Sequence, residues 1–97
     1  MDETLKSLSA LLHQAAETHH LVFAITDGED PDWATWYADW LVNLSRFSEL
    51  VGAKPPRSAV TYHLVSLDKE YGQADSTEAW EDFYAARLMQ RLSASAG

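Results

Sequence analysis

The sequence predicts an all-α fold, an antiparallel four-helix bundle with short turns. Three observations carry this reading. Apolar residues recur at steps of three and four in four separate stretches. The stretches are separated by glycine and proline, at Asp27-Gly28, Gly52 to Pro56, and Gly72. The one run rich in strand formers, Ala59 to Val65, has no second strand elsewhere to pair with.

The first helix is expected over 4–26. Leu5, Leu8, Leu12, Ala15, His19 and Val22 form its apolar stripe, which Leu11, Ala16 and Phe23 widen. Asp27-Gly28 ends it, because glycine tolerates a left-handed backbone. Asp30 then reads as an N-cap and Pro31 as a first helical residue. The acids Asp27, Glu29, Asp30 and Asp32 suit the positive end of that helix dipole. The second helix is expected from 31 to about 50, burying Trp33, Trp36, Tyr37, Trp40, Leu44, Phe47 and Val51. Thr35, Asp39, Asn43 and Arg46 form its wet face.

Gly52-Ala53-Lys54-Pro55-Pro56 is a stiff break that divides a single helical domain, 1–97, into halves 1–52 and 53–97. The third helix is expected over 58–71. Ser58 reads as its N-cap, Gly72 as its C-cap residue, and Val60, Leu64, Leu67 and Tyr71 as its stripe. The fourth starts at Asp75 or Ser76, where Asp75 and Glu78 resemble a capping box. It buries Trp80, Phe83, Tyr84, Leu88 and Leu92, and Ser93 to Gly97 are expected to fray.

The two aromatic stretches echo each other. Trp33, Tyr37, Ala38 and Leu41 recur 47 residues later as Trp80, Tyr84, Ala85 and Leu88, and Trp36 corresponds to Phe83. Either a helical hairpin is duplicated, or two aromatic helix faces are alike by chance. Under both readings Tyr37 and Tyr84 are placed to approach one another or a shared cavity.

Composition narrows function. The 97 residues include 15 Asp and Glu against 7 Lys and Arg, a net charge of -8. A nucleic-acid binder needs a basic face, so nucleic acid and anionic membranes are poor partners. The absence of cysteine excludes disulfides, zinc thiolates, iron–sulfur clusters and thiol nucleophiles. No apolar run approaches the roughly 20 residues of a membrane span. The acidic start, Met1-Asp2-Glu3-Thr4, is unlike a signal peptide, so the expected location is the cytoplasm.

Four Trp, four Tyr and four His remain to be explained. His13, Glu17 and His20, with His63 from the third helix, have residue types and spacing suited to a divalent metal, or form a solvated flank. Glu17-x-x-His20 has the spacing of a bundle di-iron motif, which needs a second copy that is not present. His19 stands where a leucine would normally fill the stripe. It is either a core histidine held by a hydroxyl, carboxylate or carbonyl, or an acid–base group at a pocket wall facing Trp36 or Tyr37. The acids of Asp27 to Asp32 lack EF-hand spacing, and no phosphate-cradling glycine loop is present.

The stretch from His19 to Trp40 resembles small, uncharacterised bacterial helical domains that carry a His and then Asp-Pro-x-Trp-x-x-Trp-Tyr-Ala. Similar segments occur as short tails on glyoxalase-like proteins. The matching residues are His19, Thr26, Gly28, Asp30, Pro31, Trp33, Trp36, Tyr37, Ala38 and Trp40. The resemblance covers about a quarter of the chain and implies a helical fold, without a reaction.

Three function classes fit. The favoured one is a noncatalytic protein-interaction or small-ligand-binding module using His19, Trp33, Trp36, Tyr37, Trp40, Trp80 and Tyr84, including pairing as a homodimer. The others are a histidine-based metal or cofactor-binding helper and a small enzyme with His19 as acid or base.

Overall fold

In the computed structural model, which describes residues 3–93, these stretches fold as five helices. They are α1 (Glu3–Val22), α2 (Trp33–Leu44), α3 (Phe47–Val51), α4 (Arg57–Ala74) and α5 (Trp80–Leu92), with a 3₁₀ turn at Ala24–Thr26. No strand occurs among the described residues, and the run from Ala59 to Val65 is helical. Most of the expected fraying segment, from residue 94 onward, lies outside the described residues.

Helix α1 buries Leu8, Leu12, Ala15 and His19, as its stripe predicts, but Val22 is exposed. It stops short of residue 26 because the chain tightens there. The Phe23 carbonyl accepts the N–H groups of Thr26 and Gly28, and the Thr26 hydroxyl lies within bonding distance of the Phe23 and Glu29 carbonyls. Asp27 and Gly28 then both take positive φ, 55° and 86°. A side chain at Gly28 would bring its Cβ to 3.0 Å from His20 Nδ1, so this position has two reasons to be glycine.

The second predicted helix is cut at both ends. Asp30 does accept a backbone N–H, from Asp32 at 3.0 Å. Pro31 lies in a turn rather than at the first helical position, and Asp32 occupies the N-cap position without a side-chain bond. At the other end, Ser45 is extended. Its hydroxyl donates to the Leu41 carbonyl at 2.7 Å and accepts the Phe47 N–H at 3.1 Å. That local bonding offers the backbone an alternative to the helical ladder. It separates α2 from α3 and leaves Leu44 exposed, against expectation. Phe47 and Val51 are buried as predicted, and Gly52 closes α3 with φ of 73°.

The face of α2 is also turned. Its buried residues are Ala34, Ala38 and Leu41, while Trp33, Trp36, Tyr37 and Trp40 flank them half-buried. Small residues facing the core let a neighbouring backbone approach closely, and the rings are displaced to the sides.

Two further caps differ from the sequence reading. Helix α4 begins at Arg57 with Pro56 in the cap position, so Ser58 lies inside it. It also runs through Gly72 to Ala74, and the left-handed residue that ends it is Asp75. Asp75 is therefore unable to open the next helix, and the capping box does not form. Instead Ser76 Oγ accepts the Glu78 N–H at 3.0 Å, and α5 starts at Trp80 after Ala79. The apolar stripe of α5 holds: Phe83, Tyr84, Leu88 and Leu92 are buried, together with Ala85, while Trp80 is half-buried.

The long helices meet in four interfaces, α1 on α5, α2 on α4, α1 on α2, and α4 on α5. The short α3 lies against α1, α2 and α5 and delivers Phe47 to the shared core of Leu8, Leu12, Leu41, Leu64, Leu67 and Leu88. No helix among the described residues is long and apolar enough to cross a membrane.

Candidate functional site

Rings of α2 take part in two groups that meet at Tyr37. Trp33 and Tyr37, four residues apart, pack perpendicular with centroids 5.7 Å apart. Trp80 and Tyr84 on α5 repeat this geometry at 5.3 Å and 82°. Both pairs face one cleft of about 340 Å³, whose remaining walls are Asp68 and Tyr71 of α4. Three helices thus contribute five rings and one carboxylate to a single opening. In a perpendicular pair the edge of one ring meets a face of the other, which leaves the remaining faces for a third body.

Two of the three tyrosine hydroxyls of this cleft are tied back to the protein. Tyr71 donates its hydroxyl to the Glu78 carbonyl at 2.6 Å, which fixes the ring against the turn between α4 and α5. Tyr84 donates to Asp68 Oδ1 at 3.4 Å, a long bond. Burial pushes the Tyr84 hydroxyl well above its usual pKa, and the Asp68 charge adds to the effect. Tyr37 is raised as well, through burial. Both phenols stay neutral at physiological pH.

The sign of this effect gives a test. A group whose folded-state pKa is raised contributes stability below its unfolded value, near 10 for tyrosine, and loses it as pH climbs further. Tyr84→Phe should therefore flatten the fall in melting temperature above about pH 10. An alkaline limb that is unchanged by the substitution would show that Tyr84 ionises as freely in the fold as outside it.

The second group surrounds His19. Its ring stacks on Phe23 at 4.7 Å, meets Trp36 edge-on at 5.0 Å and lies 5.2 Å from Tyr37. Nε2 lies 3.1 Å from Asp30 Oδ2, and both side chains are nearly sealed, at 8% and 10% exposure. The Asp30 carboxylate thus joins the end of α1 to the start of α2, with its other oxygen on the Asp32 N–H. Of the partners that the sequence allowed for His19, the structure supplies a carboxylate. A neighbouring cleft of about 330 Å³ is lined by Phe23, Asp30, Asp32, Thr35, Trp36, Asp39 and Arg57. His19 itself does not line it.

No protein-family model, curated protein or solved structure matches this chain.

The other candidates come together in part: Glu17 lies beside His13 and lines a cleft with His20, while His63 is on another helix. His13 lies between Glu17, at 3.4 Å from Nε2, and Glu81, at 2.9 Å from Nδ1. These carboxylates lie on opposite edges of one ring, so they bracket it rather than converge on a point. His20 leans on the Gly28 turn. His63 is on α4 beside Tyr62, where burial and the Arg91 charge lower its pKa and Glu70 opposes them. Its Nδ1 is sealed without a hydrogen-bond partner. Among the described residues no group of three or more His, Asp or Glu is placed to hold a metal.

Trp40 packs partly buried on the core and lines neither cleft. The sequence reading missed Asp68 and Tyr71 as cleft residues. Tyr71 was legible as part of an apolar stripe, and Asp68, three residues before it, shares its side of a helix. Larger clefts exist, of about 390 and 510 Å³, but neither carries a Trp or Tyr. The most exposed large apolar residues, Ile25, Leu21 and Leu44, line neither aromatic cleft.

Proposed function

We propose that this protein is a noncatalytic small-ligand-binding module, with its site in the cleft between Trp33 and Tyr37 on one side and Trp80 and Tyr84 on the other. The observation that carries the reading is the convergence of five rings from three helices on one opening. Ligand sites are concave, mostly apolar and furnished with few polar groups. This cleft has one carboxylate, and two of its three tyrosine hydroxyls are bonded within the protein. His19 acts in this reading as a structural residue that fixes α1 to α2.

The same reading takes the four long helices as an antiparallel bundle of two equivalent hairpins. Matching ring pairs support it. So does the contact of His19 with Trp36, which parallels that of Tyr71 with Phe83, each at 5.0 Å. The packing of α1 on α5 is likewise mirrored by that of α2 on α4.

Tryptophan emission titrated with a set of small organic probes, charged and neutral, tests the site. A probe that binds should weaken at least about tenfold with Trp33→Ala or Trp80→Ala, as anchoring rings do, and hold its affinity with Trp40→Ala. Binding that ignores Trp33 and Trp80, or no binding by any probe, would overturn the reading.

A further inference from the structure

We infer that the cleft selects a small organic cation, a methylated ammonium head group, over a neutral molecule of the same shape. The inference rests on the binding site proposed above and adds the chemistry of its ligand. Three features of the walls point to positive charge. Trp33, Tyr37, Tyr71, Trp80 and Tyr84 present π systems, whose faces carry negative potential and attract cations desolvated against them. Two of the rings are tryptophan, the strongest partner for a cation. Asp68 supplies the only formal charge among the six lining residues, and that charge is negative.

The phenols reinforce the selection. Tyr84 directs its proton to Asp68, so its hydroxyl oxygen turns electron density outward instead of a free O–H. Tyr71 has its proton committed to the Glu78 carbonyl. Two of the three tyrosine O–H donors are thus withdrawn from a ligand, and an alkylated ammonium needs none. Its methyl groups match the apolar walls, and its charge is spread over a surface that the rings can cover. A cleft of about 340 Å³ has room for such a head group together with the group that carries it. The net charge of -8 favours the approach of a cation from a distance.

The discriminating experiment compares choline with 3,3-dimethyl-1-butanol, its neutral isostere, by calorimetric titration of the full chain. Choline should bind at least about tenfold more tightly, the order of effect expected when a cation is desolvated against aromatic faces. Asp68→Asn, at an exposed position where the amide oxygen can still accept the long Tyr84 hydrogen bond, should narrow that preference while circular dichroism stays unchanged. A trimethyl-lysine peptide run in parallel separates two sources of the same head group, a free solute or a protein side chain. Tighter binding by either of these supports the cation chemistry. Equal binding of choline and its isostere, abolished by Trp80→Ala, would overturn the cation preference and leave the binding site standing. If neither they nor any other probe binds, the site itself is refuted.

Discussion

Phe47→Ala should destabilise the protein by about 3–5 kcal/mol, the range for removing a buried aromatic side chain. Phe47 has no exposed surface, although it belongs to a helix of five residues. The propensity of so short a helix contributes little, because one turn of helix barely repays its nucleation. What holds α3 is the side chain that it inserts among α1, α2 and α5. Truncation leaves a cavity that the Ser45 and Gly52 ends cannot close without dragging α2 and the Pro55-Pro56 segment. For a domain of this size, whose whole stability is of order 5–15 kcal/mol, the loss is large. Chemical denaturation should show a lower midpoint with little change in slope. A shift below about 1 kcal/mol would mean that α3 peels away without disturbing the core.

His19 supplies the second large effect. His19→Ala removes a ring held among Phe23, Trp36 and Tyr37 and takes the buried partner from Asp30. The expected loss is about 3–5 kcal/mol, as for other buried rings. His19→Phe separates the two contributions. It keeps a ring in the stack and removes the bond to Asp30, and it should cost about 1–3 kcal/mol. The lower part of that range is expected, since Asp30 retains the Asp32 N–H and borders an open cleft. Adding Asp30→Asn to His19→Phe should cost less than the two single changes summed, because the pair is one interaction. Strict additivity in denaturant unfolding would mean that the imidazole and the carboxylate act independently.

The helices were legible in the sequence for a simple reason. Stripes such as Leu8, Leu12, Ala15, His19 and Val60, Leu64, Leu67, Tyr71 are long enough to set a period, and tertiary packing preserved them. Their ends were less legible. Ser45 breaks a continuous apolar pattern through hydrogen bonds of its hydroxyl, which hydrophobic spacing does not register. Asp75 fits the beginning of one helix in the sequence and is the end of another in the fold, since an aspartate suits both a cap and a left-handed turn.

The aromatic site was visible in part. Trp33, Tyr37, Trp80 and Tyr84 were identified from their echo, and they do line one cleft. The sequence grouped them with Trp36 and Trp40 because all of these rings fit a broad helical stripe. In the folded chain Trp36 turns to His19 and Trp40 to the core, which depends on the neighbours of α2 and not on its own spacing. Asp68 and Tyr71 came from a third helix, whose position beside the rings only the tertiary fold reveals. The histidines illustrate the reverse. His13, His20 and His63 are ligand-type residues, but their helices hold them against different surroundings.

The central claim is that rings from α2 and α5 form one binding surface. The indole N–H resonances of the four tryptophans, assigned by single Trp→Phe variants and followed during a titration with choline, test it most directly. The Trp33 and Trp80 signals should move together along one binding curve, while those of Trp36 and Trp40 stay nearly still. Shifts confined to one helix, or led by Trp36 and Trp40, would contradict a shared cleft.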